Sequence, residues 1–262
     1  MDSSIMRVSI FLSVFALMAA LELWLPARKA PLPRFQRWRA NLGILVIGAL
    51  AARVVLPATL VGVALWAEES GVGVLHWLGA PVVVSVILSI LLLDLAIYWQ
   101  HRLFHRVPIL WRLHKVHHAD SHVDSTTGLR FHPVEIVLSL FIKGGVILLV
   151  GAPALAVIIF EVALNAFSLF NHTNIRLPLK WDDRLAYLVI TQRLHRIHHS
   201  QHARETNTNF GFSVSWWDRL FNSYRPRARQ SDEELDIGLR EFPATSSNAR
   251  LSRLLTMPFT RS

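Results

Sequence analysis

Twelve of the thirteen histidines in this 262-residue chain lie between His101 and His202. Eight fall into three clusters: HRLFH (His101, His105), HKVHH (His114, His117, His118) and HRIHH (His195, His198, His199). Two single ones stand in RFHPVE (His132) and FNHTN (His172). Spacings of i, i+3 and i+4 set imidazoles on one helical face. Neutral imidazole is a ligand for iron, zinc, copper and nickel. A structural zinc takes four ligands, so these ten histidines are too many for one ion and suit two. The carboxylate-bridged di-iron bundle uses Glu-x-x-His pairs on helices. Neither E-x-x-H nor the protease motif H-E-x-x-H occurs in the chain, so a two-metal site here must be rich in histidine. With no cysteine, thiolate sites, iron–sulfur clusters, disulfides and cysteine nucleophiles are excluded. His76 stands alone and reads as a structural or surface group. His122 and His202, just beyond their clusters, read as neighbours of the ligands or surface groups.

The elements that must position these residues are apolar. The chain is 52% hydrophobic with a net charge of +9 and a mean hydropathy of +0.37. Apolar runs cover Val8–Leu25, Leu42–Trp66, Ala80–Trp99, Val134–Val150 and Pro153–Phe170, lengths that suit helices crossing the hydrocarbon core. The first run lacks a basic n-region beyond Arg7 and a clean cleavage site, so it reads as a retained helix. The last two are near the short limit and form a hairpin, either full-span or re-entrant. The basic loop Pro26–Asn41 and the acidic loop Ala67–Gly79 place the first on the cytoplasmic side. Arginines flank the apolar runs instead of forming one basic module, which argues for topology and lipid headgroups and against a nucleic-acid partner. The expected fold is an all-α integral membrane protein with four to five transmembrane helices. A cytoplasmic histidine-rich helical cap, from Arg102–Pro133 and Asn174–Tyr224, would sit on them. Residues 1–75 form N-terminal transmembrane helices, 76–224 the histidine-bearing domain and 225–262 a peripheral cytoplasmic tail whose stretch Ala249–Met257 lies on the membrane surface.

Polar residues inside the runs extend the pattern. Asp94, Tyr98, His101 and His105 share one helical face, and so do Glu161, Asn165, Ser168 and His172. Ionisable groups at such depth are functional by default, so Asp94, Asn165 and Glu161 are candidates to hydrogen-bond the ligands from behind. Lys143 and Glu161 are each nine residues from Ala152, the centre of the hairpin turn. Their equal depth predicts that they pair. Arg53 has no partner in this pattern.

The order H-x-x-x-H, H-x-x-H-H, a later H-P, an isolated His after an apolar hairpin and a second H-x-x-H-H resembles the fatty acid hydroxylase superfamily. That group includes sterol desaturases, sterol methyl oxidases and alkylglycerol monooxygenases. The resemblance runs from about Asp94 to Tyr224, and the flanks TTGLRFHPVE and ETNTNFGFSVSWWDRLFNSY look like bacterial sterol-desaturase-type members. It implies a non-haem di-iron centre that activates O2 and hydroxylates or desaturates a lipid C–H bond. The substrate would be a sterol, fatty acyl, sphingoid or ether lipid. The implied ligands are His101, His105, His114, His117, His118, His195, His198 and His199, with His132 and His172. Electrons would come from an external ferredoxin- or cytochrome-type donor with its reductase, because the chain has neither cluster cysteines nor a nucleotide fingerprint. The expected location is a bacterial inner membrane with the site on the cytoplasmic side. Two other classes stay open: a histidine-rich membrane metal transporter, which should place its ligands at mid-membrane, and a zinc-dependent membrane hydrolase, which would use fewer ligands and a general base.

Overall fold

The computed structural model describes residues 3–260. Its helices begin with α1 (Ser3–Trp24), α2 (Arg34–Val55), α3 (Leu60–Glu69), α4 (Val74–Trp77), α5 (Val82–Arg106) and α6 (Pro108–His118). They continue with α7 (Pro133–Val150), α8 (Ala154–His172), α9 (Leu179–Leu185), α10 (Gln192–His198), α11 (Ala203–Thr206), α12 (Trp216–Leu220) and α13 (Leu251–Thr256). Proline stands immediately before α2, α5 and α8 and opens α6 and α7. Its missing N–H costs nothing in a first turn, where amides lack intrahelical partners. Five helices, α1, α2, α5, α7 and α8, are long and apolar enough to cross a membrane. Among the described residues β-structure is limited to isolated bridges. The protein is an all-α integral membrane protein.

The second apolar run is not one span. Pro57 cannot continue a helix and pushes Leu56 into an extended conformation (φ −126°, ψ 86°). The chain restarts at α3, where the Thr59 hydroxyl caps the Gly62 amide at 3.0 Å. Arg53, on the last turn of α2, donates to the Pro57 carbonyl at 2.6 Å, closing the broken end. Helix α2 starts earlier than its apolar run, inside the stretch read as a basic loop. α3 fills the space beside α5 and the α7–α8 hairpin, in a core of Leu60, Val61, Leu93, Ile97, Ile147 and Phe160. At the hairpin tip Gly151 is left-handed (φ +75°). A Cβ on Gly73 would fall 2.2 Å from the Gly151 Cα, so the loop before α4 lies backbone-to-backbone on the tip.

Charged groups placed in loops or spans by sequence have structural partners. Arg37, 1% exposed, forks onto Asp120 through Nε and Nη2, both at 2.9 Å, and reaches Asp124 through Nη1 at 2.6 Å. Asn41 adds a bond to Asp120 at 3.1 Å. Glu22 at the end of α1 accepts from the amides of Ser125 (2.6 Å) and Asn174 (2.9 Å). Together these fasten α1 and α2 to the segment that follows α6. The predicted Lys143–Glu161 pair makes no direct ion-pair contact, although Glu161 is the carboxylate whose charge acts on Lys143. Glu161 pairs with Arg7 of α1, because α1 packs along α8, and equal depth does not fix which way two helices face. The C-terminal segment is not peripheral either. Phe242, Leu254 and Met257 pack with Ala40, Ile44 and Val116 in one core.

The hairpin-tip contact gives a stability prediction. Gly71 and Gly73 both have positive φ, but a Cβ on Gly71 meets nothing within 4 Å. Gly71→Ala should cost about 1 kcal/mol from backbone strain alone. Gly73→Ala should cost several times more, read as the fall in unfolding temperature in detergent. Equal losses for the two variants would show that the backbone contact is unimportant.

Candidate metal centre

Four helices deliver the histidines. α5 ends with His101 and His105, α6 carries His114, His117 and His118, α8 ends at His172, and α10 brings His195 and His198 with His199 just after it. Nine imidazoles converge in two groups. His101, His105, His114, His118 and His198 form one; His117, His172, His195 and His199 form the other. Within each group one ring nitrogen of every member lies within 4.8 Å of all the others. Neither group includes a carboxylate. Both α6 and α10 contribute to both groups, so the groups are neighbours: the His118 and His199 rings stack at 4.5 Å.

Backbone carbonyls set the ring orientations. His101 Nδ1 donates to the Phe210 carbonyl at 2.7 Å, His198 Nδ1 to Thr208 at 2.8 Å and His172 Nδ1 to Ser168 at 2.7 Å. A carbonyl only accepts, so the proton sits on Nδ1 and the Nε2 lone pair points inward. His114 Nδ1 is held by the Glu135 carboxylate at 2.7 Å instead. In the five-membered group every Nε2 is buried without a hydrogen-bond partner. In the four-membered group Nε2 atoms face one another: His172 and His195 at 2.8 Å, His172 and His117 at 3.2 Å, His195 and His199 at 3.2 Å. Of these four, only His172 has its Nδ1 proton fixed by a carbonyl; Nδ1 of His117, His195 and His199 is buried without a partner, so their Nε2 atoms can either donate to a neighbouring ring or turn their lone pairs to a shared cation. Ligands about 2.1 Å from one ion and at right angles would be about 3.0 Å apart, so the donor sets fit metal ions.

The surroundings keep these imidazoles neutral, the form a metal needs. Burial, reinforced by adjacent imidazoles, pushes His117, His118, His195 and His199 well below the ordinary histidine value. Burial also lowers His198, to about 3, against the opposing pull of the Thr208 carbonyl.

The other predicted site residues lie elsewhere. His132, expected as a ligand, caps α7 with Nδ1 accepting from the Val134 amide at 3.3 Å, and its Nε2 donates to the Leu255 carbonyl at 3.3 Å. The proline after it starts a helix, and the ring serves that start. Asp94 accepts from Trp217 Nε1 at 2.8 Å and touches no histidine. Asn165 bonds back to the Glu161 carbonyl at 2.8 Å. Asn165 and Glu161 line a cavity of about 260 Å³ between α1 and α8. They share the face of His172 but lie about 10 and 16 Å from it along the axis, so only the last turn of that stripe belongs to the centre. His122 and His202 are outside both groups. His122 sits in the Arg37 network, where its carbonyl accepts from Arg37, and the His202 ring meets Arg229.

Sequence reasoning missed the groups behind the ligands. Glu135 stood in the quoted RFHPVE box and is 4% exposed. Asp218 accepts from the amides of Phe210 (2.8 Å) and Gly211 (2.7 Å) and from the Ser223 hydroxyl (2.6 Å). It thereby fixes the carbonyl that orients His101. Burial raises Asp218 to about 6, its hydrogen bonds pulling the other way. Arg37 holds Asp120 and Asp124 below the carboxylate range despite their burial. The loop so anchored stacks Phe131 on His117 at 4.4 Å and presses Gly128 against α8. A Cβ there would lie 2.7 Å from the Ser168 carbonyl oxygen and 3.1 Å from His172 Nδ1.

Two outcomes follow. Glu135→Gln keeps the shape but removes the charge behind His114, and should weaken binding of one Co(II) by about 10- to 100-fold, measured by chelator competition. Unchanged affinity would make Glu135 a packing residue. For the metal-free protein, the depressed histidines bind protons more readily when unfolded. Stability from them is therefore complete above the unfolded value of 6.5 and drains away as pH falls toward the folded values, about 3 for His198. Each such histidine costs up to about 1.4 kcal/mol per pH unit across that window. Unfolding temperatures between pH 7.5 and 4.5 check this, and a flat profile contradicts it.

Residues 86–223, just over half of the 262, match the fatty acid hydroxylase family, a stretch that contains all nine converged histidines. The chain is 31% identical over 182 residues to an ornithine lipid hydroxylase of Rhizobium tropici, covering 69% of this chain and 52% of that protein. It is 29% identical over 141 residues to the alkylglycerol monooxygenase of Danio rerio, 54% of this chain and 30% of that one. A very-long-chain aldehyde decarbonylase of Oryza sativa subsp. japonica is 23% identical over 193 residues, 70% of this chain and 29% of the plant protein. The chain thus spans about half the length of the rhizobial relative and under a third of the others. No solved structure matches it. With the histidine groups lying wholly within the matched stretch, the chain belongs to the fatty acid hydroxylase family.

Proposed function

We propose that the protein is a non-haem di-iron oxygenase that hydroxylates or desaturates a C–H bond of a membrane lipid, using O2 and electrons from outside. The observation that carries this is the pair of buried imidazole groups, five and four, at one end of a bundle of apolar helices. Names of relatives support it: a lipid hydroxylase and a monooxygenase share the histidine-bearing stretch. His101, His105, His114, His118 and His198 would hold one iron, and His117, His172, His195 and His199 the other. Bound iron supplies the one-electron chemistry that O2 requires and side chains lack.

The chain's own residues do the rest. Phe210, Thr208, Ser168 and Glu135 keep the protons on Nδ1 and the lone pairs aimed inward. Burial of the ligands excludes bulk water from the reacting region. The lipid would approach from the bilayer between the long helices. A transporter would need ligands midway along its helices, whereas these cluster at helix ends. A zinc hydrolase would need a general base, and neither imidazole group contains a carboxylate. We place the site at the cytoplasmic face of a bacterial inner membrane, from the arginines that flank the histidine end.

Anaerobically purified protein should bind about two irons per chain and, when reduced, convert a lipid in its own host's extract only in the presence of O2. With 18O2, hydroxylation puts one labelled atom in the product; desaturation puts none. His118→Ala and His199→Ala remove one ligand from each group and should each lower turnover by at least about 100-fold. Full activity in both variants would defeat the assignment.

A further inference from the structure

Of the nine converged histidines, eight are buried and His105 alone keeps partial exposure. It reaches a groove of about 340 Å³ on the histidine end of the molecule, beside Trp111. The Trp111 ring is itself half-buried and lies 5.0 Å from His105 and 5.4 Å from His118. The opposite walls are mostly polar, with Ser200, Gln201, Asn207, Arg240 and Glu241 beside the apolar Leu239. Arg240 is in the wall, and three exposed arginines stand next in sequence to lining residues: Arg106 after His105, Arg204 after Ala203, and Arg112 after Trp111, its Nε donating to the Pro258 carbonyl at 2.7 Å. Glu241 is the single acid in the lining.

We infer that this groove is the docking site of an acidic one-electron carrier protein, which reduces the centre past Trp111 and His105. The inference rests on the oxygenase reading. Hydroxylation of R–H by O2 takes two electrons and two protons and yields R–OH and one water. The carrier therefore docks twice per turnover, giving up one electron and leaving oxidised each time. Only the separation of one ring stands between a carrier seated on Trp111 and two ligands of the five-membered group. The basic rim draws an acidic face into that position, as complementary charge speeds encounter and sets register.

The test uses iron-loaded protein in detergent, with plant-type [2Fe–2S] ferredoxin and its reductase as one reductant and dithionite as the other. Arg204→Glu/Arg240→Glu should raise the ferredoxin concentration for half-maximal reduction about tenfold and flatten its salt dependence. Reduction by dithionite should stay within about twofold of wild type. Lys29→Glu/Arg39→Glu, with the same charge change on exposed residues away from the groove, should have little effect on either. The inference is overturned if the groove variant loses no more than this control, if both reductants slow together, or if wild type accepts dithionite electrons but none from ferredoxin. A wild-type protein that dithionite reduces without any O2-dependent lipid product instead defeats the oxygenase reading.

Discussion

Nine imidazoles that converge in two adjoining groups are fit to hold metal only if all of them stay neutral. Most of the structure at the histidine end serves that constraint. Charge on any one ring raises the energy of its neighbours, which is why burial and adjacent imidazoles act together on His117, His118, His195 and His199. Fixing the proton on Nδ1 falls to groups that cannot donate: the carbonyls of Phe210, Thr208 and Ser168 and the Glu135 carboxylate. Two of these are held in turn, Phe210 through Asp218 and Ser168 by the Gly128 carbonyl that accepts from its hydroxyl at 2.9 Å.

The apolar helices set the frame in which those small distances are possible. Without water to compete, the Arg37 fork onto Asp120 and its bond to Asp124 bind α2 to the loop behind α6. Breaking a buried pair of this kind by removing one partner typically costs about 3–5 kcal/mol. The loop it secures carries both Phe131 and Gly128, so a charge pair remote from the lone pairs governs how closely His117 and His172 approach.

Helical spacing made the main features legible in advance. The i, i+3 and i+4 histidines converge because a helix leaves them no other face, and the hairpin returns His172 to the side from which the chain left. What spacing cannot carry is anything set by backbone or by azimuth. Phe210 and Thr208 act through carbonyls, which every residue has, so no side-chain pattern marks them. His132 has a ligand's residue type, but the following proline makes its position a helix start. Arg37 reads as a topological charge until Asp120 and Asp124 fold over it. Lys143 and Glu161 share a depth, yet α1 also packs on α8 and brings Arg7 to Glu161.

The interleaving of the two groups has a consequence of its own. His114 and His118 belong to one group and His117 to the other, all from a single helix; His198 belongs to the first while His195 and His199 belong to the second. An ion held by either group would fix the rotation of both α6 and α10 about their axes. The ordering entropy of the second group is then largely met before its ion arrives. Loading should be cooperative, with empty and doubly loaded chains favoured over singly loaded ones, and the coupling acts equally in both directions. The protein would count its metals in pairs.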